Sequence, residues 1–243
     1  MTDTGLRIGT AGWNVSSRTV TIAPGGSHLE RYARHFNAVE INSLFHRPHQ
    51  RKTYERWAGA TPPDFRFSVK VSKAITHDQR FVDCDALLDR FAAEVTGLSD
   101  KLAILLVQLP PKFAFDENIA GRFFRDLRAR LPTPVALEPR HASWFAPDAD
   151  EFLKQHAVAR VAADPARING AADPGGASGF AYFRWHGSPR IYYSDYDDAA
   201  LTSLAARLAD LRKCNTPAWC IFDNTASSAA LGNALTLQNM LAP

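Results

Sequence analysis

The stretch Phe180-Ala-Tyr-Phe-Arg-Trp-His186, followed by Gly187, decides the fold. Residues two apart on a strand share a side, so Tyr182, Arg184 and His186 line one face while Phe183 and Trp185 line the other. One face is aromatic along its length. The opposite face ends in two groups that carry or bind protons, so this strand has an apolar outside and an inside that turns polar at its C-terminal end.

The same pattern recurs along the chain. Short apolar runs whose last inward position is polar occupy Arg7–Thr10, Ala38–Asn42, Arg66–Lys70, Ala103–Gln108, Pro134–Glu138, Ala159–Asp164, Phe180–His186 and Ala218–Asn224. Between them lie helical patterns. Ser27 with Glu30 fits a capping box ahead of Leu29, Tyr32, Ala33 and Phe36. Leu87, Leu88, Phe91 and Val95 follow Asp83 at helical spacing, and Ile119, Phe123, Leu127 and Leu131 form a second stripe. Further stripes are Leu201, Leu204, Ala205 and Leu208, then Leu231, Leu235 and Met240. Strands alternating with helices predict a parallel sheet with crossover helices. The 243 residues suit a single (β/α)8 TIM barrel spanning residues 1–243 as one domain. Pro165–Gly179 is rich in Ala, Gly, Pro and Asp, so the helix between strands six and seven is expected to be replaced by a loop.

Parity then places the polar groups. Glu40 and Asn42 turn inward opposite Val39 and Ile41, Ser68 and Lys70 opposite Phe67 and Val69, and Gln108 shares a side with Leu106 and Ile104. Asp164 is assigned to the inward side with Ala162. Glu40, Lys70, Gln108, Glu138, Asp164, Arg184 and His186 should therefore surround one mouth. A lone ionised group inside a barrel is costly, and in such barrels the C-terminal face is where reactive sites are built.

Composition narrows the partners. Hydrophobic residues make up 46% and charged residues 22%, which is ordinary for a folded chain, and a net charge of +3 from 28 basic and 25 acidic residues sets up no strong field. A nucleic-acid partner is not indicated. Met1–Val20 is polar, and no run of about 18 apolar residues occurs, so a cytoplasmic protein without a membrane partner is expected. Cys84, Cys214 and Cys220 have neither disulfide nor zinc-site spacing and read as small core residues. No cofactor, and no zinc, iron or copper, is expected. The oligomeric state is not encoded in these patterns.

The chain resembles the YecE-like proteins, also called domain of unknown function 72. The resemblance rests on motifs spread over nearly its whole length: Ile8-Gly-Thr-Ala-Gly-Trp13, Val39-Glu-Ile-Asn-Ser-Leu-Phe-His-Arg47, Phe67-Ser-Val-Lys70, Ile75-Thr-His77, Gln108-Leu-Pro-Pro-Lys-Phe113, Glu138-Pro-Arg-His-Ala-Ser-Trp144, Tyr182-Phe-Arg-Trp-His-Gly187 and Phe222-Asp-Asn-Thr225. It implies the barrel already reached from parity, and no assigned reaction. Asn14–Pro24 lacks the family's second Trp and Phe-Tyr-Pro ending, Leu44 and His46 stand where Thr and Tyr are usual, and Asp223 stands where Asn is common.

Three chemistries fit the polar strand ends. Glu138 and His186, with Asp164 and His141, are candidates for proton transfer, since a perturbed carboxyl or an imidazole can exchange protons near neutral pH. Glu138 and Arg140 share parity and can instead simply pair. Lys70, Arg140 and Arg184 come from separate strands and could converge on a phosphate-like or carboxylate anion. Glu40, Asn42, His77, Gln108 and Asn224 complete the polar lining. Trp13 and Trp144, with Phe45, Trp185 and Tyr193, either stack on a sugar-like ring or belong to the core. His186 is either a reactive group or a core histidine held by its neighbours, and Gly187 allows a tight turn or a close backbone approach to a ligand.

The leading expectation is an enzyme using metal-free acid/base chemistry on a small anionic or polyhydroxylated substrate. An alternative is a metal-dependent hydrolase or phosphoesterase with a divalent ion on Glu40, Glu138, Asp164 and His186, although no local ligand spacing supports it. A third is a module that binds single-stranded nucleic acid or a protein through a basic, aromatic surface. No phosphate-binding Gly fingerprint or nucleophile elbow is present.

Overall fold

The computed structural model describes residues 5–14, 25–45 and 47–242. Residues 15–24, where the sequence departs from its family, and His46 lie outside the described residues. The strands are β1 (Leu6–Thr10), β2 (Ala38–Ile41), β3 (Arg66–Lys70), β4 (Leu102–Gln108), β5 (Val135–Glu138), β6 (Val158–Arg160), β7 (Ala162–Asp164), β8 (Gly175–Gly176), β9 (Ala181–Trp185) and β10 (Ala218–Phe222). The helices are α1 (His28–Tyr32), α2 (Arg51–Gly59), α3 (Asp85–Val95), α4 (Glu117–Arg130), α5 (Pro147–Gln155), α6 (Asp198–Lys213) and α7 (Ala229–Leu241).

These form a mixed α/β fold with two sheets, in the orders β1-β10-β9-β7 and β2-β3-β4-β5-β6-β8. Every pairing is parallel except β6 with β8. Among the described residues the sheets approach each other at two places. Ala11 bridges Glu40, where the Gly12 N–H donates to the Glu40 carbonyl at 2.8 Å. At the far side β6 runs on into β7 through Val161, whose N–H donates to Leu137 O at 2.8 Å. A side chain on Gly9 would meet the Ala38 carbonyl oxygen at 2.2 Å, so only glycine lets β1 lie this close to β2. Tyr32 OH spans the same gap, donating to Ala38 O at 3.0 Å and accepting from Thr10 N at 2.9 Å.

The expected sixth strand is thus divided, and among the described residues Pro165–Gly179 contains the two-residue β8 and no helix. Ser27 and Glu30 cap α1 reciprocally, but the helix ends at Tyr32, short of Phe36. Asp83 lies outside α3, whose N-cap is Cys84. The helices α2 and α5 have no counterpart in the stripes read above. In α7 the buried face is Leu231, Ala234, Leu237 and Leu241, while Met240 is exposed.

The core has two layers, as parity requires. Val39, Ile41, Phe67, Val69, Leu105, Val107, Phe183 and Trp185 pack outward against the helices. Ala38, Ile104, Leu106, Ala136, Val161, Tyr182, Trp219 and Ile221 form a separate inner cluster. The inner apolar plug fills the lower part of the strands and leaves their C-terminal ends to polar residues.

Candidate active site at the strand ends

Following the inward side of six strands leads to a polar or charged end: Ala38 to Glu40, Ser68 to Lys70, Leu106 to Gln108, Ala136 to Glu138, Tyr182 through Arg184 to His186, and Ile221 to Asp223. All six terminal groups are buried. Arg184 lies at their centre and is fully enclosed. Its Nε and Nη2 donate to Glu40 Oε2 and Oε1 at 3.0 and 2.7 Å, a bidentate pair, and Nη2 also donates to Asp223 Oδ2 at 2.9 Å. Its Nη1 donates to Glu138 Oε2 in a short contact. Tyr182 OH donates to Glu40 Oε2 at 2.8 Å and lies 2.9 Å from Ser68 Oγ.

His186 joins two of these carboxylates. Its Nδ1 lies 3.0 Å from Asp223 Oδ2 and its Nε2 3.1 Å from Glu138 Oε1. Burial alone would strip its proton, but Glu138 and the bond to Asp223 prevail over burial and Arg184 and raise its pKa above the ordinary 6.5. In its protonated form both ring nitrogens donate. Burial would raise the Glu138 carboxyl, yet Arg184, His186 and Arg140 outweigh it and hold Glu138 well below the usual range. Asp223 is lowered likewise, against burial, by Arg184 and His186. Glu138 Oε1 also accepts from Gln108 Nε2 at 3.0 Å and from Arg140 Nη2 at 3.1 Å.

Lys70 stands apart from this network. Among the described residues its Nζ makes no hydrogen bond or ion pair, and it sits over the Phe45 ring at 4.0 Å from the centroid. Burial, then the charge of Arg184, brings its pKa down to about 8 despite the carboxylates nearby. His77 packs edge-on against Phe45 with centroids 5.0 Å apart and bonds Thr76 Oγ1 at 2.8 Å. Burial, Lys70, Lys73 and Arg140 push His77 down to about 4, so it is neutral at physiological pH.

Several expected site residues lie elsewhere or face differently. Asp164 turns outward: Val161 belongs to the inner cluster, so Ala162 and Asp164 have the opposite parity, and Asp164 Oδ1 accepts from Tyr196 OH at 2.7 Å. Arg184 does not face a ligand, because its side chain is 0% exposed and shared among three carboxylates. His141 caps the short helical turn Ala142–Phe145, accepting from Ser143 N at 3.3 Å. Trp144 is wholly buried, with its indole N–H on Phe113 O at 2.9 Å and its ring edge-on to Phe115, so it is core. Gly187 makes a tight turn at φ +96°, and its N–H donates to Tyr196 OH at 2.9 Å rather than facing a ligand.

Asn224 donates to Ser194 O at 2.9 Å and Asn233 Oδ1 at 2.8 Å, holding the loop behind the site. Trp13 and Asn42 line a separate cleft of about 410 Å³ beside β1 and β2, and Trp13 packs edge-on to Trp57. Sequence reasoning singled out Asn224 in the last strand and passed over Asp223. The parity rule applied to Trp219 and Ile221 would have found it. Arg167, on the loop after β7, was also missed, and it carries no strand signal.

The opening above the network is a cleft of about 260 Å³ lined by Glu138, Arg140, Arg167 and His186 with Pro111 and Ile168 among its apolar walls. The metal set suggested by sequence does not converge there. Asp164 faces away, and the guanidinium of Arg184 occupies the space between Glu40 and Glu138. Among the described residues no His, Cys, Asp and Glu grouping has the arrangement of a metal site, and no helix is long and apolar enough to cross a membrane.

Fold and site together define a mixed α/β protein with parallel sheets and a buried ionic cluster where the strands end. The chain matches the model of the protein of unknown function DUF72 over residues 7–243 and belongs to that family. It is 35% identical to the UPF0759 protein YunF of Bacillus subtilis over 127 residues, which cover 49% of this chain and 44% of that protein. It is 32% identical to UPF0759 protein YecE of Escherichia coli K12 over 154 residues, covering 60% of this chain and 56% of that one. The chain thus spans about half the length of the curated relatives it matches.

Among solved structures, a DUF72 family protein from Enterococcus faecalis superposes with a TM-score of 0.81 at 22% identity, covering 97% of this chain and 95% of that one. One from Thermotoga maritima gives 0.79 at 24% identity, covering 97% and 98%. At these identities the likeness speaks for the fold alone.

Proposed function

We propose that this chain is an enzyme acting on a small anionic or polyhydroxylated substrate by acid/base chemistry that needs no metal, in the cleft above Glu138 and His186. The reading takes the two sheets as arcs of one (β/α)8 barrel, supported by the Ala11–Glu40 bridge and the run of β6 into β7. The observation that carries it is the Glu138–His186–Asp223 chain at the floor of the cleft. Asp223 holds the ring of His186, Glu138 is kept ionised, and Glu138 and His186 both line the cleft. Glu138 gains basicity when the substrate's anionic group draws Arg140 away from it, and it can then take a proton from the substrate that His186 returns.

Arg140 supplies the anion contact, since its side chain is 35% exposed although it pairs with Glu138, and Arg167 lines the same cleft. Lys70 adds positive charge from β3. The carboxylates that a metal would need are already taken by Arg184, which favours the metal-free route.

The test is proton exchange. Wild-type protein incubated in D2O with a panel of phosphorylated and carboxylated sugars should place solvent deuterium at a carbon beside a carbonyl, and Glu138→Gln should lose that exchange by about 100-fold or more. Phosphate, sulfate or citrate should bind wild type by calorimetry and bind Arg140→Ala about tenfold more weakly. A wild-type protein that neither binds these anions nor exchanges any member of the panel overturns the reading.

A further inference from the structure

Lys70 is the buried nitrogen to which the acid/base reading gives no part beyond its charge. It ends β3 on the inward side, 8% exposed, within the charge field of Glu40, Glu138 and Asp223. An ammonium so placed would ordinarily bond a carboxylate. None is available: Glu40 is taken by Arg184 and Tyr182, Glu138 by Arg184, His186, Gln108 and Arg140, and Asp223 by Arg184 and His186. The amine instead faces the Phe45 ring, 4.0 Å from its centroid.

We infer that Lys70 is a nucleophile that forms an imine with a small carbonyl compound bearing a carboxylate or phosphate group. The inference rests on the anion-binding reading proposed above and deepens it by naming a reactive atom and a substrate class. Lys70 is not among the residues lining the cleft of about 260 Å³, so the substrate's anionic group would sit at Arg140 and its carbonyl would reach across the strand ends to β3. An amine beside another cation and withdrawn from water loses its proton readily, which is the usual means of activating a lysine for this step. Lys70 meets both conditions, through burial and the neighbouring Arg184, and with a pKa of about 8 roughly one molecule in ten carries the free amine at pH 7.

The step balances without any further reactant. The Lys70 nitrogen adds to the carbonyl carbon, and the carbonyl oxygen takes protons from the nitrogen and leaves as water. A C=N bond then replaces C=O, and the ammonium's charge is retained on the protonated imine. His77, neutral and edge-on to the same Phe45 ring, would relay a proton in that exchange. The retained charge next to a carboxylate or phosphate on the substrate makes an adjacent C–H acidic. That is the proton Glu138 would take.

The experiment traps the imine. Full-length protein is incubated with pyruvate, glyoxylate or glycolaldehyde phosphate and sodium cyanoborohydride, which reduces C=N to a stable secondary amine, and is then peptide-mapped by mass spectrometry. Labelling of Lys70 should outpace that of the exposed Lys73 by roughly tenfold or more. Lys73→Arg should leave the labelling of Lys70 intact, and Lys70→Arg should abolish the fast adduct. The wild-type map alone names the reacting lysine, so the result stands even if Lys70→Arg folds poorly. Label spread over exposed lysines, with Lys70 unmodified, overturns the inference. If wild type still binds phosphate in that case, the cleft reading survives, and if it does not, both fall.

Discussion

Two buried cations occupy the same end of the strands under opposite conditions. Arg184 is fully enclosed and shared among Glu40, Glu138 and Asp223, whereas Lys70 has no carboxylate partner among the described residues. Guanidinium geometry explains the division. Its planar fork can serve several carboxylates at once and cannot lose its charge, so it is suited to holding the acidic groups in place. An ammonium is a point charge that can be neutralised. The mouth therefore has a framework cation and a responsive one, and replacing each should have opposite consequences.

The largest effect belongs to the framework. Arg184→Met should destabilise the fold by about 3–5 kcal/mol, because the three carboxylates stay buried and lose their common partner. Chemical denaturation of the variant measures it directly. A loss below about 1 kcal/mol would mean the carboxylates are hydrated rather than held.

Tyr196→Phe comes next. It removes the bond to Asp164 and leaves the Gly187 N–H without its acceptor, and about 1–3 kcal/mol should be lost. This variant tests whether Asp164 serves structure outside the mouth: anion binding should be unaltered.

Titration separates the two cations further. His186 has a folded pKa raised above its ordinary 6.5, so its stabilising contribution is complete below that value and is lost as pH rises through the folded pKa. Glu138 and Asp223 have depressed folded pKa values, so their contribution is present above about 4 and is lost as pH falls through the folded values. Lys70 has the opposite sense to His186. Its folded pKa of about 8 lies below 10.5, so the folded state binds its proton less well and stability gains as pH rises between the two. The melting temperature of wild type should decline as pH rises through the folded pKa of His186, and His186→Asn should lose that decline.

Lys70→Met should have the smallest effect on stability, none or a slight gain at pH 7, because a poorly compensated charge is replaced by an unbranched apolar chain. A melting temperature that drops as far as in Arg184→Met would erase the contrast.

Much of this site was legible because strands obey a period of two. The placements of Glu40, Lys70, Gln108, Glu138, Arg184 and His186 required only the alternation of large apolar residues with polar ones. Asp164 was misassigned for a physical reason: Ala162 and Ala163 are equally small, so the run around them offers no contrast from which to read its two sides. Val161, one residue earlier, carried the signal. His141 and Trp144 lie beyond the end of β5, where parity no longer applies and local capping and core packing set their direction. The division of labour between Arg184 and Lys70 was also hidden, since pattern places both inward but cannot show which carboxylates each one reaches.

The most direct test is the titration of Lys70 itself, followed by NMR in protein carrying 13C-labelled lysine, with the resonance assigned through Lys70→Arg. The account predicts a midpoint of about 8, moving upward when phosphate is added because a bound anion favours the ammonium. A midpoint at the ordinary 10.5, unmoved by phosphate, would show that Lys70 is paired or solvated like any surface lysine and would contradict the central claim.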